Sequence, residues 1–166
     1  MNLAVLNSIS YGLYAVGVKA PEGRPSACVV NALMQVTAEP AYVCVCVNHN
    51  NYTNECIKRD KLFTVSVFGE DATFAQIASL GFKSGRDTDK LEGYKYRTDS
   101  DGLPILEENI CAWFKCRVIS TTETPTHTLV IAEVIDTAAE QTGKPITYDY
   151  YRTVLKGKVS KNAAHL

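Results

Sequence analysis

Six runs of β-branched, aromatic and aliphatic residues, each closed off by Gly, Pro or Asn, constrain this chain more than any other feature. They are "YGLYAVGVKA" from Tyr11, "SACVVNALMQVTA" from Ser26, "AYVCVCVN" from Ala41, "LFTVSVF" from Leu62, "ICAWFKCRVIS" from Ile110 and "HTLVIAEVID" from His127. In the fifth, Trp113, Lys115 and Arg117 alternate with Phe114, Cys116 and Val118, the period of a half-buried strand with one wet face. Between the strands lie two short helical patterns. One starts at Asn51 or Thr53, and the other is opened by a Thr73/Gln76 capping box and ended by Gly81. The reading is mainly β with short helices. A sheet of this size has two edges to pair or cover, and closing it into a barrel removes them.

At 166 residues and 46% apolar content, the expectation is a single domain over residues 1–166. A formal net charge of -1 supplies no positive field for nucleic acid or an anionic membrane, so neither partner is expected. The N-terminus lacks a basic leader and no segment reaches about 18 consecutive apolar residues, which predicts a cytoplasmic protein. The six cysteines read as free, mostly buried thiols. Cys44 and Cys46 share one strand face, and no C-x-x-C pair exists, so no metal site is predicted. The stretch from Gly81 to Asn109 is broken by glycines and Pro104, and loops of that length are uncommon unless functional. The basic, small-residue tail "GKVSKNAAHL" predicts loose order.

Chemistry gathers in "NALMQVTAEPAYVCVCVNHNNYTNE". Gln35, Thr37, Asn48, Asn50, Asn51, Thr53 and Asn54 sit at or near the ends of two consecutive strands, and they converge if those strands pair. Neutral donors and acceptors beside a helix start suit an amphipathic ligand with a hydrogen-bonding edge and a phosphate, Thr53 being the clamp. The plain alternative is that asparagines make turns and threonines cap helices, their commonest work. "SGRDTDK" has the look of an anion cradle, although its spacing is not that of a Walker motif. His127 opens a strand and suits either a structural hydrogen bond or catalysis. No G-x-S-x-G, H-E-x-x-H or paired-carboxylate motif nominates a hydrolase.

In order along the chain, "ISYGLYAVGV", "RPSACVVNALMQVTAEPAYVCVCVN", "NYTNECIKRDKLFTVSVFGEDATF", "GFKSGRDTDK", "THTLVIAEVIDT" and "PITYDYYR" resemble the flavin reductase-like, FMN-binding split-barrel family. The likeness runs from Ile9 to Lys158. It is strongest to the branch found as the flavin reductase domain of high-molecular-weight rubredoxin. What the resemblance implies is a homodimeric split β-barrel that holds FMN noncovalently at the subunit interface. It would pass electrons from NADH or NADPH to free flavin or a redox acceptor protein. Gln35, Val36 and Thr37 would then border the isoalloxazine. Asn48, Asn51, Thr53 and Asn54 would wrap the ribityl chain and phosphate, and Ser84, Arg86 and Lys90 would close the phosphate end, from the chain itself or its partner subunit. His127 matches the histidine of the family's "GDH" motif near the flavin and nicotinamide, with Pro125 and Thr126 in place of Gly and Asp. A rival reading is an electron carrier in the manner of a flavoredoxin, with tightly bound FMN and no use of nicotinamide. A barrel that has lost its ligand is the third.

Overall fold

A computed structural model describes residues 1–139, 143–160 and 162–164. Seven antiparallel strands form one sheet: β1 (Tyr14–Lys19), β2 (Pro25–Val30), β3 (Leu33–Ala38), β4 (Ala41–Asn48), β5 (Leu62–Phe68), β8 (Ile110–Glu123) and β9 (His127–Ala139). The spatial order is β2-β1-β5-β8-β9-β4-β3. β2 and β3 thus occupy opposite edges, yet only Asn31 and Ala32 separate them in the chain. Two residues cannot cross a flat sheet of seven strands at about 4.8 Å per strand, so the sheet curls until its edges meet. The Cys46 N–H donates to the Ala32 carbonyl (2.9 Å), which extends the β3–β4 ladder back to the end of this two-residue connection. The result is the barrel expected from the sequence, with one difference: the run from Ser26 folds as two strands, because the chain must change pairing partners at Asn31.

Inside the barrel, Val16, Val18, Val43, Val45, Phe63, Val65, Cys116 and Val130 pack together with Ile57 of helix α1 (Tyr52–Asp60). The alternate residues Leu13, Ala15, Ala27 and Phe68 join a second core, built with Ile77 and Leu80 of α2 (Phe74–Phe82) and Tyr151 of α3 (Tyr148–Thr153). The capping box at Thr73 and Gln76 forms as expected. Gly81 does not end α2, which continues through Phe82. No helix among the described residues is long and apolar enough to cross a membrane.

The irregular stretch before β8 contains a hairpin that strand patterning missed, β6 (Tyr96–Thr98) and β7 (Pro104–Leu106), turned at Gly102 with φ +78°. It lies against the barrel where Gly17 has no side chain. A Cβ there would collide with the Thr64 hydroxyl and the Pro104 carbonyl, which are themselves hydrogen-bonded at 2.5 Å. The hairpin also overturns the wet-face expectation for β8. Trp113 and Lys115 are each only 7% exposed, because Arg97 stacks over the indole and Lys115 pairs with Asp99 (2.7 Å) and Asp101.

Candidate functional site

The turn after β4 delivers the chain into α1 with its amides turned to different tasks. Asn48 is buried, stands opposite His127 of β9 in the ladder, and accepts from the Asn50 N–H (2.9 Å). Asn51 is the N-cap of α1 but makes no side-chain capping bond, so the first turn of a nine-residue helix keeps its positive end uncapped by a side chain. Thr53, one position inside the helix after Tyr52, is 2% exposed. These groups open onto a cavity of about 460 Å³ walled by β2, β4, the start of α1, the end of α2, the loop from Lys83 to Lys90, α3 and the C-terminal segment.

The cavity is electrostatically one-sided. Among the described residues its lining includes Lys83, Arg86, Lys90 and Lys158 but no aspartate or glutamate. Lys90 is 6% exposed, and no hydrogen bond or ion pair partners its ammonium among the described residues. Burial pushes its pKa down, and the nearby Cys28 thiol works the other way. A desolvated cation without a counter-ion is costly unless an anion arrives to meet it. The loop that carries it is pinned by Arg24, which donates to the Thr88 (3.2 Å) and Gly85 (2.9 Å) carbonyls. Gly85 is required there, since a Cβ would come within 2.5 Å of Ser26 Oγ and 3.1 Å of the Tyr52 ring.

Of the residues nominated from sequence, Asn48, Asn51, Thr53, Ser84, Arg86, Lys90 and His127 all line this one cavity. Arg86 is already engaged: it pairs with Glu55, donates to the Asn50 carbonyl (3.3 Å) and lies 5.3 Å from the Tyr52 ring centre. Ser84 Oγ accepts from the Arg86 N–H (3.2 Å) in a turn, and no helix follows it. Asn54 is turned away, donating to the Val47 carbonyl (2.8 Å) and to Thr128 Oγ1 (2.9 Å), which ties α1 to the barrel. Gln35, Val36 and Thr37 lie exposed on β3 outside the cavity; Gln35 donates to the Thr37 carbonyl (3.1 Å) and Thr37 to the Pro40 carbonyl (2.6 Å). His127 is half-buried. Burial pushes its imidazole down from the ordinary histidine value, against a hydrogen bond with the Asn162 backbone that favours the protonated ring.

Sequence reasoning missed Asn31, Cys28, Cys46, Tyr148, Tyr151 and Asn162, all on the cavity wall. Asn31 carried a readable signal, a lone amide interrupting an apolar run. Cys28 and Cys46 looked like core thiols; Cys28 is buried, Cys46 is only half-buried, and burial raises both thiol pKa values. All six cysteines are free. The tail was unreadable as a wall because its small residues carry no periodicity. His165 lies outside the described residues.

A curled antiparallel barrel whose cavity combines neutral amides, a helix start and a buried lysine suits a ligand with a hydrogen-bonding edge and an anionic end. The chain matches the flavin reductase like domain over residues 6–156 and belongs to that family. It is 34% identical over 98% of its length to the high molecular weight rubredoxin of Moorella thermoacetica, covering 71% of that protein. It is 29% identical to the ferric-chelate reductase (NAD(P)H) of Archaeoglobus fulgidus, over 98% of this chain and 96% of the other. In three dimensions it resembles the flavoredoxin of Methanosarcina acetivorans with a TM-score of 0.71, at 23% identity over 82% of this chain and 74% of that one.

Proposed function

We propose that this chain is a single-domain, FMN-binding oxidoreductase that takes electrons from NADH or NADPH and passes them to free flavin or to a redox partner protein. The observation that carries the reading is Lys90, a buried lysine with no counter-ion among the described residues, at the same cavity as the start of α1. The residues present fit an FMN. Lys90, Thr53 and the first-turn N–H groups of α1 would hold the phosphate. Asn31 and Asn48 would supply donors and acceptors to a polar ring edge, and Tyr148, Tyr151 and Phe82 would supply apolar wall. When bound, the flavin supplies the hydride-accepting centre, so the protein needs no acid–base dyad of its own. The chain's own contribution is to bind, orient and keep water out.

Family membership and the names of the related reductases support the use of nicotinamide. Gln35, Val36 and Thr37 would reach the ring only from outside this chain's cavity, which fits a homodimer in which β3 serves the neighbouring copy. Exposed Met34 and Val36 on that strand, with Leu3, Val5 and Leu6 near the N-terminus, give such a dimer an apolar surface to bury. A carrier that does not use nicotinamide is the second reading, favoured by the His127 ring being already engaged by Thr126 and Asn162. Anaerobic stopped-flow mixing of FMN-loaded protein with NADH and NADPH separates the two. Bleaching of the oxidised-flavin band near about 450 nm within the mixing experiment supports the reductase. A band that persists until a reduced protein partner is added supports the carrier.

A further inference from the structure

The C-terminal segment is part of the cavity wall, through Lys158, Ser160, Asn162, Ala163 and Ala164. It is held there by a short series of polar contacts. The Tyr151 hydroxyl donates to the Lys158 carbonyl (3.0 Å), and Ser160 Oγ reaches the Gly81 carbonyl at 3.4 Å. Asn162 makes the contacts that matter for the site. Its Nδ2 donates to Asn51 Oδ1 (3.0 Å), while its backbone hydrogen-bonds the His127 ring. Asn51 stands at the start of α1 and His127 opens β9, so a residue bonded to both spans the space between two elements of the site.

This attachment is easily exchanged. Ala163 and Ala164 bury little apolar surface, so hydrogen bonds provide most of the hold. Asn51 Oδ1 also has another donor within reach of ordinary geometry. An N-cap asparagine usually accepts from an N–H two or three residues onward, a bond that Asn51 does not make while Asn162 holds it. Release of Asn162 therefore leaves Asn51 free to cap its own helix or to meet a ligand.

We propose that Asn162 is a latch: it occupies the hydrogen-bonding position of Asn51 that a flavin nucleotide needs, and leaves it when the flavin enters. The proposal rests on the flavin reading above. Its consequence is that the free protein binds flavin more weakly than its site alone would allow, because the latch must open first.

The test is FMN titration of the unaltered protein and of N162A and N162L, neither of which can donate to Asn51, with tryptic cleavage after Lys158 followed with and without FMN. Both variants should bind FMN about fivefold to tenfold more tightly, the worth of one net hydrogen bond. Saturating FMN should speed cleavage after Lys158 in the unaltered protein. The latch stands only if both happen. Equal or weaker FMN binding by the variants, or unchanged or slower cleavage with FMN, overturns it while the flavin reading survives. Failure of all three proteins to bind FMN overturns both.

Discussion

Replacing Lys90 with methionine should push stability and affinity in opposite directions. The side chain is 6% exposed and its ammonium has no anion beside it among the described residues. Methionine keeps most of the volume and removes the charge, so the ligand-free protein should gain about 1–2 kcal/mol. For a chain of this size each kcal/mol moves the melting temperature by about 2–4 °C. The same change removes a charge-assisted hydrogen bond to the phosphate, worth about 1.5–3 kcal/mol, so FMN should bind about 10- to 150-fold more weakly. Riboflavin, which lacks the phosphate, is the internal control and should bind both proteins equally. Burial lowers the folded pKa of Lys90. Between that lowered value and the ordinary lysine value of about 10.4, the unfolded chain binds the extra proton, so stability should rise with pH across this window. K90M should lose that rise. Calorimetry and parallel FMN and riboflavin titrations read all of this. A K90M protein that melts lower without ligand and discriminates FMN from riboflavin as before would show that Lys90 is structural, and the anion-site reasoning would fail.

Thr53→Ala should weaken FMN about twofold to tenfold in a fluorescence titration while leaving riboflavin unaffected, since it removes one neutral hydroxyl at the phosphate end. Asn54→Ala should cost about 1–3 kcal/mol in urea unfolding, because the Val47 carbonyl and Thr128 hydroxyl lose a buried donor, with FMN affinity little changed in the folded protein. The folded pKa of His127 is depressed, so as pH falls below about 6.5 the unfolded chain takes up the proton first and stability declines. His127→Gln should flatten the slope of unfolding free energy below about pH 6.5. Lys115→Met should cost about 3–5 kcal/mol by leaving the buried Asp99 carboxylate without its cation, and Asp99→Asn in the same chain should recover part of that loss.

The barrel was legible because strand periodicity is local: each run announces its own pleat. Pairing is not local, which is why the run through Asn31 read as one strand. Its two halves part because the closing sheet needs them on opposite edges. Lys115 looked solvent-facing for the same reason, since the hairpin that covers it is recruited from a glycine-broken stretch. Its Asp101–Gly102 turn was the available hint. At the site, residues carried by short connections were placed together, as with Asn48, Asn51 and Thr53 around one tight turn. Ser84 and Lys90 stood out in "SGRDTDK" as parts of a weak anion cradle, and only the resemblance tied them to a phosphate. Asn54 looked identical to its neighbours in sequence, and only its helical phase turns it toward Val47. Asn162 joins the wall through contacts with positions 51 and 127, a separation that no pattern in the tail could express.

The Asn31–Ala32 tether makes the cylinder's circumference a covalent quantity. A permuted chain opened there, with its old termini linked, would retain every ladder described above and still lose the ring, becoming a curved ribbon with two raw borders. Those borders would solicit strands from other molecules. The amide at position 31 would go with them, so the clasp of the barrel and one jaw of its cavity are the same two residues of backbone.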